Sequence, residues 1–460
     1  MSDAFRTRLA RLRRDPPSTP APAASPAASP TAPPTSPPTG PPESAGLPAS
    51  LRARLAASPG GDPDDAAPST EAPTGLRAPT IGEPQRLDVV DRREGAFCAR
   101  TNRVDLGGPP HGAWSLAEVD AADRAAIARM AKDPALGGLD LRQAVYLDTE
   151  TSGLSGGAGV YVYMVGLGWY EGDAFVTWQS FLRHPGEEPA MLADVADRIR
   201  GASGVVSFFG KSFDRHRLED KMRIHGVDPP FEGAPHLDLY HPFRRLTHGS
   251  LPDGRLQTME RALLAFERED DLPGSLAPAA WFDYLAGRPH RLEGVFEHNH
   301  HDVLSLAALA AYLGRVETEE RASGEPLVGP DARRAVALAE TADDAGTELR
   351  WLECALARDV QGTDRRRVCA RRADLLRRAG RVDDARVAYR EALEECADDR
   401  FAVELFRGAS MLMERPVGDL EHACAFARRA VDVARRTGAT ARQLESLRAR
   451  VERLDARAAR

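Results

Sequence analysis

The stretch Val145-Tyr146-Leu147-Asp148-Thr149-Glu150-Thr151-Ser152-Gly153-Leu154 runs from β-prone apolar residues into two carboxylates and then breaks at a glycine. Side chains alternate across a strand, so Asp148 and Glu150 share a face, about 7 Å apart along the backbone. Asp148 falls at the buried end of that strand, where an unpaired charge is costly. A divalent cation held between the two carboxylates would offset that cost. Hard oxygen ligands, with no cysteine or histidine beside them, suit Mg²⁺ or Mn²⁺ rather than zinc. A strand end whose acids merely face water fits the same three residues equally well, and the stretch by itself leaves both readings open.

Upstream and downstream of this strand the chain changes character twice. Residues 15–85 or so are dominated by Pro, Ala, Ser and Thr, as in Pro17-Ser18-Thr19-Pro20-Ala21-Pro22. Such a segment buries too little apolar surface to order itself, so residues 1–87 are expected to form a disordered tail. Two short basic segments lie within it, Phe5-Arg6-Thr7-Arg8-Leu9-Ala10-Arg11-Leu12 and Leu51-Arg52-Ala53-Arg54-Leu55-Ala56. They read as solvated charged stretches, transiently helical at most.

Between residues 88 and 315 the apolar pattern is that of an α/β domain. A capped helix is expected over 115–131, opened by Ser115-Leu116-Ala117-Glu118. Strands are expected over 144–149, 159–169 and 174–182, then a helix over about 187–200. A short buried strand at 204–209, a helix at 212–225 and a strand around Leu237-Asp238-Leu239 follow, with helices at about 255–266 and 294–314. Three meandering strands and then alternating helix and strand imply a mixed sheet with flanking helices.

From 330 to 460 no strand pattern occurs. Gly380-Arg381 followed by Ala385, Tyr389 and Ala392 gives a small–large–small helical pattern, repeated at Ala423, Ala427 and Ala430 and weakly at Leu352 and Ala355. This region resembles a tetratricopeptide array; a plain helical bundle would carry the same apolar stripe.

Composition narrows the class. The chain has 460 residues, 42% of them hydrophobic and 28% charged, with a net charge of −8, so non-specific coating of nucleic acid is not its mode. No apolar run approaches the length of a membrane span, and no secretory signal is apparent. Cys98, Cys354, Cys369, Cys396 and Cys424 are odd in number and in no metal-ligand spacing, which points to a reducing cytoplasm. Only Lys132, Lys211 and Lys221 are lysines, so nearly all positive charge is arginine and single arginines carry little information.

Two further acids stand in suggestive places. Phe208-Phe209-Gly210-Lys211-Ser212-Phe213-Asp214 sets Asp214 after a buried strand, at a helix start. His298-Asn299-His300-His301-Asp302-Val303-Leu304-Ser305-Leu306 sets Asp302 four residues after His298, on one side of a helix. The ordered set of Asp148, Glu150, Asp214 and Asp302 resembles the DEDD branch of ribonuclease H-like 3′–5′ exonucleases. The resemblance is nearest to the YprB-like bacterial subgroup, which often carries C-terminal tetratricopeptide repeats. It covers about residues 88–315 and includes Leu237-Asp238-Leu239 and Leu256-Gln257-Thr258-Met259-Glu260 as supporting motifs.

The resemblance implies a ribonuclease H-like mixed sheet and a metal-dependent nuclease that shortens single-stranded DNA or RNA from its 3′ end. Asp148, Glu150, Asp214 and Asp302 would hold two Mg²⁺ or Mn²⁺ ions, and His298 would orient or deprotonate the attacking water. Thr151, Lys211 and Asp238 would lie on the substrate side, although a solvated loop lysine and an acid capping local backbone fit Lys211 and Asp238 as well. His300 and His301 diverge from His298 by about 100° per helical position and read as polar-face residues. Arg215, Arg217, Arg244, Arg245 and Arg255 are candidates for a phosphate channel. Two positions depart from the family pattern. His298 stands where the family has tyrosine, or a histidine one residue earlier, at which this chain has Glu297; Phe209 stands where an asparagine is common. These departures keep two rivals open: a catalytically weak or inactive scaffold that binds nucleic acid and a protein partner through its helical repeats, and a structure-specific endonuclease with the same metal site.

Overall fold

The structure is a computed structural model that describes residues 76, 78–153, 159–247, 250–318, 320–327, 331–394 and 399–460. Leu154, the two basic segments and nearly all of the expected tail lie outside the described residues. The ordered chain starts earlier than the expected boundary at 88. Thr80 and His290 exchange backbone hydrogen bonds of 2.8 Å in both directions, and the Gln85 amide donates to Glu293 at 2.7 Å. Polar residues of this segment find partners on folded helices, which composition alone does not reveal.

Seven strands form one mixed sheet: β1 Asp88–Arg92, β2 Gly95–Asp105, β3 Val145–Thr151, β4 Val162–Glu171, β5 Ala174–Phe181, β6 Val205–Ser207 and β7 His236–Asp238. Their order is β1-β2-β5-β4-β3-β6-β7. The first five in that order are mutually antiparallel, while β3, β6 and β7 run parallel. Gly172, at φ 58°, makes the tight turn that lets β4 fold back on β5. β1 and β2 were absent from the expected strands. The apolar run of β2 stops after Phe97-Cys98-Ala99, and its outer half, Arg100-Thr101-Asn102-Arg103, is recruited by pairing with β5 rather than by apolar patterning.

The expected helix over 115–131 is two pieces. Ser115 caps a 3₁₀ segment, Leu116–Ala121, by accepting from the Ala117 amide. Asp123 then caps α1, Arg124–Ala131, by accepting from the Ala125 amide. A second capping side chain inside the apolar pattern competes for the backbone and restarts the helix. Next come α2 Glu188–Arg200, α3 Asp214–Ile224 and α4 Tyr240–Thr247. The helix expected over 255–266 is a four-residue turn, α5 Leu256–Met259, continued by a π-helical turn, Glu260–Leu264. After α6, Ala277–Leu285, α7 spans Leu292–Arg315 and lies against β3, β4 and β5. Its half from Asp302 to Gly314 is buried on all sides, as expected of a helix that is apolar all round.

The C-terminal part pairs α8 Asp331–Thr341 with α9 Ala345–Ala357, α10 Gly362–Arg378 with α11 Val382–Glu394, and α12 Arg400–Leu412 with α13 Leu420–Arg436, and ends in α14 Ala441–Ala458. The three expected small–large–small motifs fall on α9, α11 and α13, the second helix of each pair. The boundary drawn near 330 is not a break in the core. Met130, Phe243, Tyr312, Val336, Trp351 and Leu352 belong to a single buried cluster. Among the described residues no helix is long and apolar enough to cross a membrane.

Candidate active site

The acids gather where the three parallel strands end. β3 alternates as its sequence requires: Thr149 is buried on one face, while Asp148 and Glu150 share the other and are half-buried. A register irregularity follows between Glu150 and Thr151, at the strand's last turn toward the site. Thr149, on the opposite face, donates its hydroxyl hydrogen bond to Asp214, which opens α3 and is buried. The third acid is thus tied to the strand that carries the first two.

Asp148 is positioned by a row of residues across the sheet. Register places Asp148 beside Gly166, Gly166 beside Gln179, and Gln179 beside Arg100. Gly166 has no side chain because the space above it is filled: a Cβ there would collide with Asn299 Oδ1. Asn299, wholly buried on α7, donates to Asp148 Oδ2 at 2.7 Å and accepts from Gln179 Nε2 at 2.9 Å. The same Gln179 amide also donates to the Phe296 carbonyl at 2.7 Å. The amide is therefore fixed in orientation from behind and presents a donor to the carboxylate.

Asp302 and His298 meet the site from α7. His298 Nε2 is 3.5 Å from Asp302 Oδ2, and its Nδ1 is 2.8 Å from Asp271 Oδ1. Asp302 Oδ1 accepts from the buried guanidinium of Arg268, which also makes a two-pronged pair with Glu260, at 2.9 Å and 2.5 Å. Ser305 completes the cluster by donating to Glu260 at 2.5 Å. The sequence reading missed Arg268 and Asp271, which sit in the charged run Glu267-Arg268-Glu269-Asp270-Asp271 and look like a solvated loop. Glu260 and Asn299 lay inside the quoted motifs, but their partners are remote in sequence.

Electrostatics divide the acids into two groups. Burial, then the charges of Asp302, Asp214 and Glu150, holds the Asp148 carboxyl far above the ordinary carboxylate range. Burial again is the main cause that pushes Glu150 up to about 8 and Asp214 up to about 6, with neighbouring carboxylates adding to both. Asp271 is instead held below its ordinary value: burial raises it, but His298 and Arg268 outweigh that. Burial alone would lower His298, yet Asp302, Asp271 and Glu150 carry it up to about 9. Asp148, Glu150 and Asp214 thus relieve their burial and repulsion by binding protons, with only the His298 charge opposing the rise at Glu150.

A divalent cation would serve the same end, and the all-oxygen donor set of Asp148, Glu150, Asp214 and Asp302 suits Mg²⁺ or Mn²⁺. As the side chains stand, no group of three or more His, Cys, Asp or Glu among the described residues converges closely enough to hold a metal.

The remaining candidates separate clearly. Thr151 is buried and donates to the Gly153 carbonyl at 3.2 Å. Asp238, expected on the substrate side, is occupied with backbone: it accepts from the amides of Phe209 at 2.8 Å, Tyr240 at 3.1 Å and Lys211 at 3.2 Å. Its position at the end of β7, facing a loop rich in free amides, explains that job. Lys211 is partly exposed, with Nζ 3.8 Å from Asp133. His300 bonds Thr177 at 2.7 Å, and His301 packs edge-on against Phe266, so neither joins His298. Arg215 pairs with Glu219 at 2.7 Å and Arg245 donates to the Met130 carbonyl, whereas Arg244 and Arg255 are exposed and Arg217 is half-buried. Phe209 adopts φ 61°, a left-handed conformation that costs a bulky residue about 1–2 kcal/mol.

A mixed sheet with acids at the ends of its parallel strands, crossed by a long helix that brings the fourth acid, defines a ribonuclease H-like fold. Residues 145–314 match the family model described as RNase_H superfamily, so the chain carries a domain of that superfamily. The chain is also similar to the "Uncharacterized protein YprB" of Bacillus subtilis (strain 168), with 33% identity over 180 residues, 39% of this chain and 43% of the relative. It therefore spans less than half the length of that relative.

Proposed function

We propose that this protein is a metal-dependent phosphodiester hydrolase, a 3′–5′ exonuclease acting on single-stranded DNA or RNA. The observation that carries the reading is that Asp148 and Glu150 share one face of β3 while Thr149 of the same strand ties Asp214 to it, all three acids being raised in pKa chiefly by burial. With Asp302 from α7 they would hold two Mg²⁺ or Mn²⁺ ions. Such ions, when bound, polarise the phosphoryl group and acidify water. The chain itself supplies position and proton handling. Asn299 aims Asp148, and Thr149 aims Asp214. Asp271 fixes His298 through Nδ1, so that Nε2 faces the acids, where it would orient the attacking water. The C-terminal helix pairs are read as tetratricopeptide-like and as the place where a protein partner would dock.

The test is a Mn²⁺-dependent time course with 5′-labelled single-stranded DNA and RNA, comparing wild type with the Asp148→Ala/Glu150→Ala double variant. A ladder shortening from the 3′ end with wild type alone supports the assignment. Cleavage of circular strands would favour an endonuclease. Absence of metal-dependent cleavage by folded wild-type protein would sink the enzyme reading in favour of a scaffold.

A further inference from the structure

Six large apolar side chains stand exposed among the described residues, and Phe209 is the aromatic one among them, with 46% of its surface accessible. Its setting is not that of a stray surface residue. The ring meets Tyr240 edge to face, with centroids 4.9 Å apart and planes at 69°, so Tyr240 takes at most one face of it. Beneath the rings, Asp238 binds the amides of Phe209, Lys211 and Tyr240 together, which fixes both aromatics to the end of β7. The next residue, Gly210, packs so near the acid cluster that a Cβ there would lie 3.0 Å from Asp214 Oδ2. The exposed Arg244 donates to the hydroxyl of Tyr240 at 2.6 Å.

An exposed ring on a rigid mount, one residue from the acids and flanked by a cation, has the parts that hold an unpaired base and its phosphate. Stacking needs a free aromatic face, and the cation answers the backbone charge. We propose that Phe209, braced by Tyr240, is the stacking platform for one unpaired nucleobase near the 3′ end of a single strand, with Arg244 beside the adjacent phosphate. The proposal rests on the nuclease reading given above. A base stacked here would require its strand to be unpaired, so the platform would select single-stranded over duplex substrate.

The experiment is fluorescence anisotropy with the full chain and a 5′-fluorescein-labelled single-stranded oligonucleotide, DNA and RNA in turn, in Ca²⁺ in place of Mg²⁺. Wild type, Phe209→Ala, Phe209→Asn and Phe209→Trp are compared. Asparagine suits the left-handed backbone, so it removes the ring without adding strain should the alanine variant fail to fold. One abasic residue is then walked through the positions nearest the 3′ end. We expect Phe209→Ala and Phe209→Asn to bind about 10-fold more weakly and Phe209→Trp to bind as wild type. At one abasic position, wild type should fall to the level of the ring-less variants, and these should lose nothing further there. Equal binding by wild type and both ring-less variants would overturn the platform while leaving the nuclease reading intact. So would a ring effect that persists at every abasic position. Failure of wild type to bind either strand would overturn both.

Discussion

Asn299 and Gly166 illustrate how much of this site depends on residues that are not themselves ligands. The amide donates to Asp148 only because the strand beneath it lacks a side chain. Gly166→Ala should displace Asn299 and weaken Mn²⁺ binding by about 10–100-fold, the range typical of lost support for a ligand, as read by calorimetric titration. Unaltered affinity would show that Asp148 needs no such aim. The acids also predict a definite pH response. Glu150 and Asp214 sit at about 8 and about 6 in the folded protein, above their ordinary 4.5 and 3.8. The folded, metal-free protein keeps protons that the unfolded chain has released. That contribution to stability is present below about pH 4 and is lost as pH rises through 6 and then 8. A divalent cation competes with those protons, so the Tm gain from saturating Mn²⁺ should be larger near about pH 8.5 than near about pH 6. Equal gains at both would argue against these carboxylates as ligands.

The long helix α7 shows packing overruling propensity. Alanine normally stabilises a helix relative to glycine by about 1 kcal/mol. At Gly314, however, a Cβ would lie 2.5 Å from the Ala122 Cβ and 2.8 Å from its Cα, in the link between the 3₁₀ segment and α1. Gly314→Ala should therefore destabilise, by about 1–3 kcal/mol in urea unfolding, as overpacking does. A stabilised variant would mean that the link yields easily. The histidines buried against the sheet and α7 give a second response at this level. His236, bonded to Ser207, and His111, bonded to Ser305, are both lowered by burial to about 3 from 6.5. The unfolded chain takes up protons first, so their contribution is complete above about pH 6.5 and is lost as pH falls toward 3. The slope is about 1.4 kcal/mol per pH unit for each histidine at most. Replacing both by glutamine should flatten the acid limb of a pH–Tm curve.

The molecule as a whole joins its sheet domain to its helical pairs through a shared core. Trp351, on α9, and Val336, on α8, belong to the same buried cluster as Met130 and Tyr312. Trp351→Ala should cost about 3–5 kcal/mol and lower the unfolding of the sheet domain together with that of the first helix pair. Two separated thermal transitions, with only the helical one shifted, would show that the shared core does not couple them.

Much of the sheet was legible in the chain because buried strands must be apolar: β3, β4, β5, β6 and β7 all fall within or beside the expected runs. β1 and β2 were not, since a three-residue apolar run and hydrogen bonding near a sheet edge leave too little apolar signature. Strand alternation set Asp148 and Glu150 on one face and helical spacing set His298 beside Asp302, while the four acids as one set rested on the resemblance to a known family. Their supporting partners were not legible. Arg268 on Asp302, Asn299 over Gly166, and Thr149 on Asp214 join residues 34, 133 and 65 positions apart, and such pairings are decided by the fold alone. By itself the sequence determined the class of fold and the chemical type of the acids, because local pattern and side-chain chemistry are properties of the chain. Only the tertiary structure decided which carboxylates repel, which are neutralised, and which aromatic ring is left facing outward, because those outcomes depend on burial and on neighbours that meet only when the sheet closes.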